Sequence, residues 1–253
     1  MFVQWIFLIS SATTISSKWI SNRILGGHSV SIESVPWQTS LQKYGDHWCG
    51  AVIYSDKIVL TAAHCTKDAS PSIFSVRVGS SNSASGGQVV KVSHIIVHEE
   101  YDQNDDVSND IAVIQLKSNL KMGVGVKCIP LADRSPSPGS SASVSGWGRS
   151  GLDGEYSENL MKTTLTIVDW YSCLNSWNGQ ISKDMICAFE AGRDSCSGDS
   201  GGPLVSGGKL VGLVSFGEEC DDPQKPGVYA NVAELKPWIL NAVHRLLKRN
   251  KKV

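Results

Sequence analysis

Along most of the chain, short runs rich in apolar and β-branched residues alternate with clusters of Gly, Ser, Asn and Asp. Phe74–Val78, for example, alternates apolar and polar residues, the pattern of a strand with one buried face. The same reading predicts strands at Ala51–Tyr54, Lys57–Thr61, Phe74–Val78, Val89–Val97, Ile111–Leu116, Ala142–Trp147, Met161–Val168, Pro203–Val205, Lys209–Ser215 and Gly227–Asn231. Many short strands separated by turn signals indicate an all-β sandwich or barrel.

Two stretches carry helical signals instead. Asp169–Leu174 follows a predicted strand and begins with a residue suited to capping a helix. A segment at about 234–249 has apolar residues on one 3.6-residue face, which predicts a C-terminal α-helix. Pro237 fits the first turn of that helix, where its missing N–H costs little. The basic residues after it are typical of a solvated helix end.

The length and net charge of the chain limit the classes of protein to which it can belong. The 253 residues suffice for one large domain or two small β-barrels. The formal net charge is −1, and it is −3 over residues 24–253, because Lys18 and Arg23 are the only charged residues before Ile24. No apolar run is long enough to span a bilayer. Neither a nucleic-acid partner nor a membrane span is therefore expected.

The N-terminus has the pattern of a targeting segment. An apolar core at residues 2–9 is followed by Ser, Thr and Ala, so residues 1–17 are predicted to be a signal peptide and the mature protein is predicted to be secreted and extracellular. All seven cysteines lie after residue 48. In a secreted chain they predict disulfides with one thiol left over, although their spacing does not define the connectivity.

The chemistry centres on Ser200, within Gly-Asp-Ser-Gly-Gly. Glycine permits a sharp turn that exposes the Ser200 hydroxyl. The same turn can direct the N–H groups of Gly198 and Ser200 at one point, as an oxyanion requires. A base and an orienting acid precede it, because His64 lies in Thr-Ala-Ala-His-Cys and Asp110 in Asp-Ile-Ala. An α/β-hydrolase would place both after the serine, and only His244 follows it.

With this chain order, the sequence resembles the trypsin/chymotrypsin family of serine proteases. Six motifs carry the resemblance: Arg-Ile-Leu-Gly-Gly from Arg23, Thr-Ala-Ala-His-Cys, Asp-Ile-Ala, Ser-Gly-Trp-Gly from Ser145, Gly-Asp-Ser-Gly-Gly-Pro and Lys-Pro-Gly-Val-Tyr from Lys225. The resemblance implies an all-β fold of two antiparallel six-stranded β-barrels, the second from about residue 125, with a C-terminal α-helix and the active site between the barrels. The protease domain would be residues 24–253, after an activation propeptide at 18–23.

The resemblance also implies the catalytic roles. Ser200 would attack the scissile carbonyl, His64 would move the proton, and Asp110 would orient the histidine, giving an acyl-enzyme. Gly198 and Ser200 would hold the oxyanion, and Ser215, Phe216 and Gly217 would pair with substrate. Asp194 at the base of a pocket walled by Gly217 and Gly227 implies cleavage after Arg or Lys. Glu218 and Glu219 would add a small preference for basic residues further along the substrate.

Activation and disulfides follow from the same resemblance. Cleavage after Arg23 would free the Ile24 ammonium to pair with Asp199. The implied bridges are Cys49–Cys65, Cys173–Cys187 and Cys196–Cys220. Cys128 is then left over, and residues 1–23 contain no cysteine to pair with it.

Other chemistries are less well supported. His94 and His98 are only two possible ligands, too few for a zinc site. The region matching the calcium loop of some relatives, residues 80–87, contains no acid. No cofactor or metal is expected. The expected partners are polypeptide substrates, an activating trypsin-like protease and protein inhibitors, for a monomer. The alternative function is that of a protease-like binding protein without catalysis.

Overall fold

The computed structural model describes residues 26–101, 107–149, 156–192, 198–218 and 224–249. Several sequence predictions fall outside these ranges: the signal peptide and propeptide, Arg23, Ile24, Asp194 and the Cys196–Cys220 disulfide.

The first half of the chain forms a closed antiparallel barrel, preceded by the two-residue strand β1 (His28–Ser29). Its strands are β2 (Gln38–Lys43), β3 (Asp46–Ile53), β4 (Ile58–Thr61), β5 (Phe74–Val78), β6 (Gln88–Val97) and β7 (Ala112–Leu116). They pair in the order β2-β3-β4-β7-β6-β5 and close back on β2. Leu41, Phe74 and Ile114 are fully buried inside it, as expected when one face of each strand carries apolar side chains.

The second half forms a barrel of the same kind. Its strands are β8 (Ser141–Gly146), β9 (Met161–Ile167), β10 (Met185–Phe189), β11 (Pro203–Ser206), β12 (Lys209–Phe216) and β13 (Gly227–Asn231). The order is β9-β10-β13-β12-β11-β8, and β8 also pairs with β9, which closes the ring. Strand β1 adds to β9 from outside. The expectation of two six-stranded antiparallel barrels is therefore confirmed.

Two helices complete the fold. Helix α1 (Trp170–Ser176) begins after Asp169, whose side chain accepts a hydrogen bond of 2.9 Å from Ser172 N. Helix α2 (Val232–Arg249) packs on β7 of the first barrel and on β12 and β13 of the second. One apolar cluster contains residues from both barrels and from α2, so the helix stabilises the barrels against each other.

The start of α2 differs from the sequence prediction. The helix begins at Val232, two residues before the predicted 234. The side chain of Asn231 accepts from Ala233 N at 3.2 Å, which satisfies an N–H group of the first turn. Pro237 therefore lies in the second turn and not, as predicted, in the first, and it removes one N–H donor within the helix.

Candidate active site

His64 and Asp110 meet at the edge of the first barrel. His64 lies in a short 3₁₀ helix, Ala63–Cys65, just after β4, and Asp110 lies two residues before β7. His64 N donates to Asp110 Oδ1 at 3.0 Å, and His64 Nδ1 lies 2.8 Å from Asp110 Oδ2. An ionised carboxylate only accepts, so Nδ1 carries the proton and Nε2 is free to act as a base. The carboxylate side chain is 1% exposed, whereas the imidazole is 24% exposed.

A third donor reaches the same carboxylate from the second barrel. Ser215, in β12, donates its hydroxyl to Asp110 Oδ2 at 2.5 Å. Sequence reasoning assigned Ser215 to substrate binding alone and did not predict this contact. The bond connects the two barrels at Asp110, which fixes the orientation of the carboxylate and, through it, that of His64.

The loop carrying Ser200 is held by backbone hydrogen bonds to both barrels. Gly50 N, in β3, donates to Ser200 O at 2.8 Å, and Gly201 N donates to Val214 O at 2.7 Å. Gly198 and Gly201 have φ values of 97° and 76°, so the sharp turn depends on residues without a Cβ. These bonds place the backbone of Ser200 at the junction between the barrels.

The Cys49–Cys65 disulfide brings this loop close to the histidine. Cys65 directly follows His64, and its bridge to Cys49 ties that turn to the residue beside Gly50. Cys65 Sγ lies 3.7 Å from Ser200 O. The Ser200 loop therefore packs against the segment that carries His64. A second bridge, Cys173–Cys187, joins α1 to β10, and Cys128 is a free, exposed cysteine.

Asp199, which directly precedes Ser200, is fully buried. Its Oδ1 accepts a hydrogen bond of 2.9 Å from Gly148 N. A Cβ at Gly146 or Gly148 would lie within 2.4 Å of one of its carboxylate oxygens, so a side chain at either position would displace the Asp199 carboxylate. These two glycines come from the Ser-Gly-Trp-Gly motif, whose conformational role the sequence alone did not reveal.

His47 contacts the Gly198 carbonyl next to the Ser200 turn and was not singled out from the sequence. Its Nε2 lies 3.0 Å from Gly198 O, and its Nδ1 lies 2.8 Å from Ser40 Oγ. Since a carbonyl only accepts, Nε2 carries the proton and Nδ1 accepts from the serine. Burial lowers the pKa of His47 to about 4, against the smaller raising effect of the Gly198 bond. No spacing rule could find a partner 151 residues away.

Tyr156 closes the other side of Gly198. A Cβ built on Gly198 would lie 2.5 Å from the Tyr156 ring, and the φ of 97° at Gly198 itself favours glycine. Rings of His47 and Trp147 meet edge to face at 5.7 Å, and those of His47 and Tyr156 at 6.1 Å. Gly198 thus lies against the Tyr156 ring on one side, and its carbonyl is held by His47.

The residues predicted to bind substrate lie on two neighbouring strands. Ser215 and Phe216 end β12, and Gly227 begins β13, where it is buried and pairs with Ala188. An added Cβ at Gly217 would meet nothing within 4 Å, so this position borders open space. The predicted partner at the pocket base, Asp194, lies outside the described residues.

Possible metal ligands near the site already have partners. Within the described ranges, the one grouping of three possible ligands is Cys49, His64 and Cys65, and both cysteines are consumed by their disulfide. His94 Nδ1 lies 3.1 Å from Gln115 Oε1, and His98 stacks on Trp238 at 4.6 Å. Among the described residues, no helix is long and apolar enough to cross a membrane.

Comparisons with known proteins agree with this architecture. The Trypsin family model matches residues 24–239. Trypsin alpha-4 of Lucilia cuprina is 47% identical over 226 residues, covering 88% of each chain. Trypsin beta of Drosophila erecta is also 47% identical over 226 residues, covering 88% of this chain and 89% of its own. A structure of neuropsin, a serine protease expressed in the limbic system of mouse brain, superposes with a TM-score of 0.82 at 35% identity, over 87% of this chain and all of that one.

The structural match and the two closed barrels place the protein in the class of chymotrypsin-like, two-barrel serine proteases. The chain belongs to the trypsin family. It is a trypsin-like serine endopeptidase, a hydrolase that acts on polypeptides.

Proposed function

We propose that this protein is secreted as a zymogen and, once cleaved after Arg23, hydrolyses peptide bonds after Arg or Lys through His64, Asp110 and Ser200. The observation that carries the proposal is the double contact between His64 and a buried Asp110, at 3.0 and 2.8 Å, next to the glycine-rich Ser200 loop. It is the arrangement that a histidine base needs in order to keep one tautomer.

The proposed reaction proceeds in two halves. Ser200 Oγ attacks the substrate carbonyl while its proton moves to His64 Nε2, and the N–H groups of Gly198 and Ser200 stabilise the oxyanion. His64 then gives that proton to the amine as the C–N bond breaks, leaving an acyl-enzyme. Water attacks the ester with His64 again as base, and the Ser200 hydroxyl is restored. Asp110 stays ionised and stabilises the imidazolium.

The proposed activation rests on the burial of Asp199. A carboxylate fully removed from solvent needs compensating partners. The α-ammonium of Ile24, released by cleavage after Arg23, would supply the positive charge. Pairing there would order the neighbouring Gly198–Ser200 turn, because Asp199 is part of that turn.

The proposed specificity rests on Asp194, six residues before Ser200, with Gly217 and Gly227 leaving room for a long side chain. A carboxylate in a partly desolvated slot attracts Arg or Lys and disfavours apolar residues, which would leave it unpaired. A Phe, Tyr, Leu or Ala preference would therefore be inconsistent with the assignment.

The setting of the enzyme is proposed from the same features. Residues 1–17 would be removed as a signal peptide and 18–23 as the activation propeptide, leaving 24–253 as the mature domain. Two disulfides support folding in an oxidising, extracellular compartment. A trypsin-like protease, this one included, would carry out activation, and protein inhibitors would restrain a monomeric product.

Cleavage of a peptide library by the activated enzyme tests the specificity. The wild type should cut after Arg and Lys. Asp194→Ser should lose about a hundred- to several-thousand-fold in kcat/KM on those peptides, because removing the partner of a buried charge costs about 3–5 kcal/mol. Asp133→Ser is the matched control, since Asp133 is an exposed carboxylate paired with Lys209 and Lys236. Equal activity of Asp194→Ser and Asp133→Ser would overturn the assignment.

A further inference from the structure

An ion pair lies beside the proposed substrate-binding wall. Lys225 Nζ donates to Glu218 Oε2. Glu218 directly follows Phe216 and Gly217, and Lys225 lies two residues before Gly227. The side chains are 25% exposed for the lysine and 47% for the glutamate. The pair therefore joins the two segments that border the proposed pocket, at a surface that a substrate can reach.

A buried tryptophan holds the lysine in place. Lys225 Nζ lies 4.9 Å from the centre of the Trp177 ring, within reach of a cation–π interaction. Trp177 Nε1 donates to Pro226 O at 3.0 Å, and its ring meets Phe216 edge to face at 5.1 Å. Trp177 follows α1, which the Cys173–Cys187 bridge ties to β10. One anchored indole thus contacts both segments and restricts the lysine to the vicinity of Glu218.

The position of Glu218 relates it to particular substrate residues. Ser215 touches Asp110 and is therefore the part of β12 nearest the proposed triad. Strand β12 ends at Phe216, and Glu218 lies two residues beyond that end and three residues after Ser215. A substrate strand pairing with this segment would have its third or fourth residue before the cleaved bond at that level.

We propose that Lys225 is a specificity-determining residue that neutralises Glu218 and so suppresses selection for basic side chains at the third and fourth substrate positions before the cleaved bond. The inference rests on the proposed function. It also revises the expectation that Glu218 favours basic residues, because the structure gives that carboxylate a partner within the chain. The enzyme then accepts either charge at these positions.

Variants that remove one charge at a time distinguish the effect of Lys225 on specificity from that of Glu218. Lys225→Met should leave Glu218 without its neutralising partner. The ratio of kcat/KM for the peptide with Arg at these positions to that for the peptide with Glu should then rise by about 2- to 30-fold. Each exposed charge contact is worth about 1.4- to 5-fold, and the two effects multiply because one peptide is attracted while the other is repelled. Glu218→Gln should shift the ratio the opposite way. The double variant should return to the wild-type ratio. Charges elsewhere are common to all four proteins and cancel from the comparison.

The experiment uses the activated full-length protein and peptides with Arg at the cleaved position and Arg, Gln or Glu at the third and fourth positions before it. Lys209→Met is the matched control, because Lys209 is ion-paired with Asp133 outside the cleft, and it should leave the ratio unchanged. Raising the salt from about 20 to about 500 mM should reduce the shifts, since ions screen exposed charges.

The two proposals can fail separately. If the wild type cleaves the Gln peptides after Arg but neither single variant changes the Arg-to-Glu ratio, the role of Lys225 is refuted and the proposed function stands. The role of Lys225 is equally refuted if Lys209→Met shifts the ratio as much as Lys225→Met does. If the wild type cleaves none of the peptides after Arg, the proposed function fails and the inference fails with it.

Discussion

The contact between Gly50 and the Ser200 loop allows a direct test of how the barrels position Ser200. A Cβ added at Gly50 would lie 2.7 Å from both Cα and N of Gly202 and 3.0 Å from Asp199 O. All three are backbone atoms, so no flexible side chain can move away. Gly50→Ala should therefore displace the loop on which Ser200 lies.

The size of the displacement sets the expected effect. Gly202 must retreat by about 0.7 Å for the 2.7 Å approach to reach an ordinary contact of 3.4 Å. A misplacement of about 1 Å can cost about 100-fold in rate, so kcat should fall by about 10- to 100-fold. Overpacking a filled site costs about 1–3 kcal/mol, and for a protein of this size that corresponds to a Tm lower by about 2–12 °C.

The assay compares Gly50→Ala with Gly123→Ala. A Cβ at Gly123 meets nothing within 4 Å, so this variant adds the same methyl group without a clash. Turnover of an Arg-containing fluorogenic peptide, corrected for the active fraction, gives kcat, and thermal unfolding gives Tm. The reasoning is refuted if Gly50→Ala keeps kcat within about twofold of the wild type and an unchanged Tm.

Three further predictions concern other parts of the molecule. Arg23→Gln protein should stay inactive after trypsin treatment, and full activity of the uncut variant would exclude the zymogen mechanism. Alkylation of the mature protein under denaturing, non-reducing conditions should add one label, at Cys128, by intact mass, and three or more labels would mean that a proposed bridge is wrong. His47 has its folded pKa lowered to about 4 by burial, so protons favour the unfolded state below about 6.5. The free energy of unfolding should therefore fall by up to about 3 kcal/mol as the pH drops from about 6.5 toward 4. His47→Gln should weaken this pH dependence when the free energy of unfolding is measured by urea titration at each pH. An equal pH dependence in wild type and variant would contradict the prediction.

The sequence predicts barrel strands where apolar and polar residues alternate clearly, as at Phe74–Val78. It does not predict β2 or β10. β2 reads Gln-Thr-Ser-Leu-Gln-Lys, and only its last residue escapes burial. Its polar side chains find partners far along the chain: Gln38 Oε1 accepts from Ser145 Oγ at 2.7 Å, and Gln42 Nε2 donates to Ser83 O at 3.3 Å. A polar strand buried through long-range hydrogen bonds lacks the hydrophobic alternation on which strand prediction depends.

The candidate site, like the fold, could be predicted from the sequence only in part. His64, Asp110 and Ser200 could be proposed from the sequence because each lies in a short local motif. The supporting contacts of His47 with Gly198, and of Ser215 with Asp110, could not, because they join residues 151 and 105 positions apart. Only the closure of both barrels brings those pairs together.

Labelling by a fluorophosphonate tests the central claim most directly, because the reagent reacts with a serine only when a base and an oxyanion site activate it. The activated protein should gain one covalent label, located at Ser200 by peptide mass mapping. Ser200→Ala should gain none, and His64→Ala and the uncleaved Arg23→Gln protein should react far more slowly. Absence of labelling in folded protein shown to be cleaved after Arg23 would contradict the account and favour a binding protein without catalysis.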